Sequence, residues 1–138
     1  MSAIRATGIY TLNIALKDER YVLPTRAQVN DEFADEFRAR LPEMGLREYV
    51  PESGDCDDYG LEAWNLMRRF WRKTPGAVRA GIAFGPLDFL RRDGIAHEID
   101  FYITLENGKL LCVPWEPQTQ TDQQLNREEF ESCDYLAC

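Results

Sequence analysis

The chain has 138 residues, 44% of them hydrophobic and 12% aromatic, which suits one domain with a real core and excludes a disordered chain. Its formal net charge of −8 argues against a phosphate-tracking nucleic-acid surface or an anionic membrane surface as the main partner. No stretch reaches the apolar length of a membrane span and the start lacks an apolar signal core, so the expectation is a single cytoplasmic domain over residues 1–138.

In chain order, Ile9 to Leu16 alternates loosely and reads as a strand. Lys17-Asp18-Glu19-Arg20 then makes a polar turn before the short extended run Tyr21-Val22-Leu23. Pro24-Thr25 starts a helix whose Val29, Phe33, Phe37 and Leu41 recur at spacing four, and Pro42 ends it. A loop from Gly45 to Gly54 delivers the chain to a second helix, about Asp55 to Arg72, with Arg68, Arg69, Arg72 and Lys73 gathered at its C-terminal end. There the positive charge complements the helix dipole. Thr74-Pro75-Gly76 stops this helix. Val78 to Phe84 reads as a strand, and Gly85 to Gly94 as an irregular connection.

Ile95–Leu105 and Lys109–Trp115 are strand-like runs joined by Asn107-Gly108, the preferred pair for a type I′ hairpin turn. That turn predicts cross-strand pairs from Glu106 opposite Lys109 outward, one residue at a time on each strand. His97 then shares a face with Ile99, Phe101, Ile103, Cys112, Glu116 and Gln118, with Glu116 in diagonal reach and Gln118 directly across. The tail carries a short helix near Asn126 to Tyr135, capped by Asn126 with Glu129 three residues on.

The four cysteines, Cys56, Cys112, Cys133 and Cys138, lack the paired spacing of a zinc site and read as free thiols, with Cys133 and Cys138 able to pair on oxidation. Cys56 lies where a turn becomes a helix, in Gly54-Asp55-Cys56-Asp57-Asp58-Tyr59. The helix N-terminus favours its thiolate, while the flanking aspartates oppose it. A nucleophilic cysteine needs a base and a group that orients the base. His97, the one histidine, with Glu116 or Gln118 on the next strand, completes a Cys-His-Glu or Cys-His-Gln set.

The Gly54–Tyr59 segment, His97 opening a strand and Trp115-Glu116-Pro117-Gln118-Thr119 closing the next together resemble the transglutaminase-like branch of the papain-fold cysteine peptidases. The bacterial transglutaminase-like peptidases are the nearest in pattern. The resemblance covers roughly half of the chain, and departs from the family in having Glu116 where aspartate is usual and Glu98 after the histidine.

It implies an α+β, papain-like fold, with N-terminal helices packed on an antiparallel sheet. Cys56 would be nucleophile, His97 base, and Glu116 (or Gln118) the orienting group. The activity would be cysteine-dependent acyl transfer, peptidase or amidase, on a peptide or protein amide. No cofactor is required, although some family members bind calcium beside the cysteine, at positions matched by Asp55 and Asp57. The rival expectation is a non-catalytic binding or structural protein, with phage genomes as one setting, that retains the fold. A metal site built on Cys56 and His97 is a third and poorly supported reading, since Cys112 has no evident partner.

Overall fold

The computed structural model describes residues 13–15, 20–51, 54–73 and 81–137. Most of the strand expected from Ile9, the turn residues Lys17–Glu19, the Thr74-Pro75-Gly76 stop and Cys138 lie outside these residues. Eight strands are found among them: β1 (Asn13–Ala15), β2 (Tyr21–Val22), β3 (Gly81–Ile82), β4 (Phe84–Leu90), β5 (Ala96–Glu106), β6 (Lys109–Glu116), β7 (Thr121–Asp122) and β8 (Tyr135–Ala137). A π-helical segment, Gln28–Phe33, leads into α1 (Ala34–Arg40); α2 is Cys56–Lys73 and α3 is Arg127–Glu131. Six strands form one sheet in the order β1-β8-β4-β5-β6-β7, and β2 pairs with β3 separately.

The hairpin follows from its turn. Asn107 and Gly108 both have positive φ (50° and 73°), as a type I′ turn requires, and the register runs from Glu106↔Lys109 to Asp100↔Trp115. The tail helix is equally local in origin. Asn126 accepts from the Glu129 backbone N–H at 2.9 Å while the Glu129 carboxylate accepts from the Asn126 N–H at 3.0 Å, which closes a capping box.

The first helix opens with a wider turn than the spacing of its apolar residues suggested. On an α-helix, residues four apart drift around the axis by ~40° per step. The π-turn removes part of that drift, and Val29, Phe33 and Phe37 are all fully buried.

Both faces of the large sheet are covered. On one, the π-helical segment, α1 and α2 bring Phe33, Phe37, Ala63 and Met67 against Phe84, Tyr102 and Trp115, with ring centroids 5.4 Å apart for Phe33–Phe84 and 5.6 Å for Phe33–Trp115. On the other, Leu87, Phe89, Ile99, Phe101 and Ile103 form a second core with Cys133, closed by Leu125 and Phe130. Polar atoms of the first core are paired in part, the indole N–H groups of Trp64 and Trp71 making no hydrogen bond to the described residues. The Trp115 indole donates to Asn30 Oδ1 at 3.1 Å, and the Tyr102 hydroxyl donates to Asp122 Oδ1 at 2.9 Å.

Tyr59 of α2 anchors the preceding loop by donating to the Leu46 carbonyl at 2.9 Å in a buried position. Tyr59→Phe strands that carbonyl, and is expected to cost about 1–2 kcal/mol, read as a lower urea midpoint at unchanged m-value.

Two expectations are corrected here. The layout of N-terminal helices on an antiparallel sheet gives way to a mixed, strand-rich architecture, in which β1 runs parallel to β8 and β2 parallel to β3. The stretch after Phe84, expected to be irregular, is the strand β4 between β5 and β8. Pro86 lies inside this strand, where a proline ordinarily removes a ladder hydrogen bond. Its missing N–H is harmless because the hydrogen bonds between β4 and β5 fall on the alternate residues, as in Ile103 N–H to Ala83 O and Arg91 N–H to Ile95 O. Pro86 therefore turns its nitrogen to the other side, where β8 pairs only with Leu87 and Asp88.

Candidate functional site

The chemistry-bearing side chains gather where the ends of β4, β5 and β6 meet the start of α2. Alternation along β5 sends His97 to one face of the sheet and Glu98 to the other. Glu116, the last residue of β6, reaches diagonally across the hairpin, so that Glu116 Oε2 lies 3.0 Å from His97 Nε2. The Gln118 backbone N–H donates to the other carboxylate oxygen, Oε1, at 3.1 Å. Gln118 thus holds Glu116 through its main chain. Both ring and carboxylate are mostly covered, with 16% and 14% of their side chains exposed.

Two cavities meet at His97. One, of about 290 Å³, is lined by Cys56, Asp57, Asp88, Phe89, Ala96, His97 and Glu98 among others. The second, of about 300 Å³, is lined by Phe89, Arg91, His97, Ile99, Glu116, Gln123, Gln124, Leu125 and Glu129. Cys56 and His97 therefore share one cavity wall and His97 and Glu116 another. Asp55 and Gln118 line neither.

The Cys56 environment opposes ionisation. Burial, its largest influence, pushes the thiol above the ordinary range, and the negative charges of Asp55 and Asp57 add to the rise. Backbone N–H groups at Glu98 and Asp57 pull only partly the other way. Of the two opposed influences read from the sequence, the helix terminus and the flanking aspartates, the second prevails here with burial added to it.

The flanking acids are occupied with the helix end and with one another. The Asp55 backbone N–H donates to Asp58 Oδ2 at 3.3 Å, half of a capping box. Asp57 is pushed up chiefly by a side-chain hydrogen bond with Asp55. Asp55, Asp57 and Asp58 each offer one ligand atom within 4.8 Å of one another. Calcium takes six to eight oxygens, so this trio is an incomplete donor set for it.

A set of buried carboxyls was missed from sequence. Asp88 and Glu98 face each other across β4 and β5. Burial, reinforced by a hydrogen bond that the Glu98 carboxyl donates to Asp88, pushes Glu98 up to about 9. Gly60 of α2 is what allows Glu98 so close, since a Cβ there would lie 2.7 Å from Glu98 Oε1. Asp100 is fully buried, neither of its carboxyl oxygens has a hydrogen-bond partner among the described residues, and burial drives it well above the ordinary carboxylate range. The signal was in the alternation: Glu98 and Asp100 share parity with Tyr102, so all three turn toward the helices.

No family model and no curated protein matches the chain. Solved structures do share its fold. A chain described as the "PSL1a-E64 complex" matches 99% of this chain and 48% of its own length, with a TM-score of 0.73 and 17% identity. The lectin of Polyporus squamosus, described as bound to the human-type influenza-binding epitope Neu5Acα2-6Galβ1-4GlcNAc, matches 86% of this chain and 40% of its own length, with a TM-score of 0.62 and 20% identity. The present chain spans less than half the length of either.

These likenesses replace the expected transglutaminase-like or papain-fold peptidase family and the papain-like fold label, and the cysteine-dependent acyl-transfer activity that was expected from that family loses its basis there. At this level of identity the likeness concerns the fold: the chain has the fold found in part of a lectin chain.

Proposed function

We infer that this chain is a non-catalytic binding domain of a lectin-type protein and that its ligand is a carbohydrate. The observation that carries this reading is the fold shared with the Polyporus squamosus lectin chain over 86% of the present chain. It replaces the peptide or protein amide expected from the cysteine motif. Among the described residues no helix is long and apolar enough to cross a membrane.

The cleft at His97 has the chemistry such a ligand needs. A sugar offers hydroxyl groups that donate and accept together with apolar C–H faces. Arg91, His97, Glu116, Gln123, Gln124 and Glu129 surround the ring of Phe89 in a cavity of about 300 Å³, within the size range of small-ligand sites. The His97–Glu116 pair, held by the Gln118 main chain, is already oriented and loses little freedom on binding. Two carboxylates, Glu116 and Glu129, stand against the one permanent cation Arg91, in a chain of formal net charge −8. A neutral glycan is favoured over a sialylated one.

The test is a glycan array of neutral and sialylated mono-, di- and trisaccharides, probed with the wild-type chain and with a His97→Ala, Glu116→Gln double variant whose folding is checked by circular dichroism. At least one neutral glycan should be retained, and the folded double variant should bind it at least tenfold more weakly, the equivalent of about 1.4 kcal/mol. An array on which the wild type retains no glycan overturns the reading. Retention that the double variant leaves intact overturns the placement of the site.

A further inference from the structure

The cleft at His97 has a neighbour. A second cavity of about 410 Å³ lies across the connection between β7 and α3, and the two share Gln123, Gln124 and Leu125 as a common wall. Each cavity has one aromatic ring in its lining, Phe89 in the first and Phe130 in the second. Polar groups accompany both rings, and in the second cavity these include Arg26.

The shared wall is not inert. Gln124 is exposed, and its amide makes no hydrogen bond to the described residues, so two N–H donors and a carbonyl stand open on the crest between the cavities. Gln123 is tied down instead, its backbone N–H to Pro114 O at 2.8 Å and its amide to Thr121 Oγ1 at 3.2 Å. The crest therefore combines a fixed residue with a free amide on the wall that the two cavities share. Each cavity alone is near the lower size limit of small-ligand sites, and a single sugar would leave one of them empty.

We propose that the binding cleft is bipartite and takes a glycan of at least two sugar units, one on each side of Gln124, with the glycosidic linkage crossing over that residue. This rests on the carbohydrate reading above, and adds to it the length and path of the ligand. The Gln124 amide bonds hydroxyls on both units.

Calorimetric titration of the full chain with galactose, Galβ1-4GlcNAc and Neu5Acα2-6Galβ1-4GlcNAc tests it, alongside Gln124→Trp, an exposed substitution that obstructs the crest. The disaccharide should bind at least tenfold more tightly than galactose. In Gln124→Trp the ratio of disaccharide to galactose affinity should fall below about twofold, whatever the substitution costs galactose itself. Equal affinity for galactose and the disaccharide, or an advantage that survives Gln124→Trp, overturns the bipartite cleft and leaves the carbohydrate reading in place. Failure of all three sugars to bind overturns the bipartite cleft, and the carbohydrate reading falls as well where the array retains no glycan.

Discussion

Alkylated with iodoacetamide across a pH series and followed by peptide mass mapping, Cys56 will show no reactivity below neutral pH and will titrate above the ordinary thiol range. Its sulfur loses solvation at the start of α2 and faces Asp55 and Asp57, and both effects penalise the thiolate. Cys133, whose thiol is pushed up to about 12 mainly by burial, should react more slowly still and serves as an internal reference. Replacing Asp55 and Asp57 by Asn removes two negative charges and should accelerate Cys56 severalfold at pH 8. His97→Ala should leave the rate within about twofold, because His97 is engaged with Glu116. Fast alkylation at pH 6 that disappears in His97→Ala would instead demonstrate a thiolate–imidazolium pair, and the non-catalytic reading would fall with it.

Stability should rise on mild acidification, against the usual trend. Asp100 is fully buried beside Glu98 on its own strand and feels Glu116 from β6; Glu98 in turn faces Asp88 from β4 and the charges of Asp55 and Asp57 at the start of α2. A carboxyl with a raised folded pKa contributes stability that is fully present below its unfolded value, near 4, and is lost as pH rises toward the folded one. If Asp100 stays protonated throughout, the loss between pH 5 and 7.5 reaches about 3 kcal/mol, at 1.36 kcal/mol per pH unit. Glu98, part of which faces solvent, adds a smaller loss in the same direction over a window that ends near pH 9. Urea midpoints at the two pH values measure the slope, and Asp100→Asn should remove most of it. A variant whose midpoint moves with pH as strongly as the wild type would show that Asp100 is charged in the folded protein.

What was legible in advance was whatever depends on neighbours in the chain. Asn107-Gly108 set the hairpin register because only residues at ease with positive φ make a two-residue type I′ turn, and strand alternation did the rest. The same register brought Glu116 to His97. Asn126 and Glu129 capped their helix for equally local reasons. The position of Cys56 at the start of α2 could be read from the turn residues and the apolar periodicity after it.

The misreadings share one cause. The β4 strand was hidden because Pro86 is judged by a rule that assumes hydrogen bonds on both sides, and only the placement of β5 and β8 shows which side its nitrogen faces. The Cys56 thiol was weighed from its helix terminus, a local feature. Its burial, the largest influence, is set by α2 lying on the sheet, whereas the opposing charges of Asp55 and Asp57 were already visible beside it in the chain. Asp100 drew no reading from the sequence, because its loss of water comes from the packing of the helices on that face.

Sequence by itself thus determined the turns, the caps, the main hairpin and its register, and the meeting of His97 with Glu116, since each follows from torsion preferences and alternation along a short stretch. Tertiary structure decided the strand order, the ionisation of Cys56, Glu98 and Asp100, and the pair of cavities divided by Gln124. These arise between segments far apart in the chain, where burial and the resulting loss of solvation set both packing and charge.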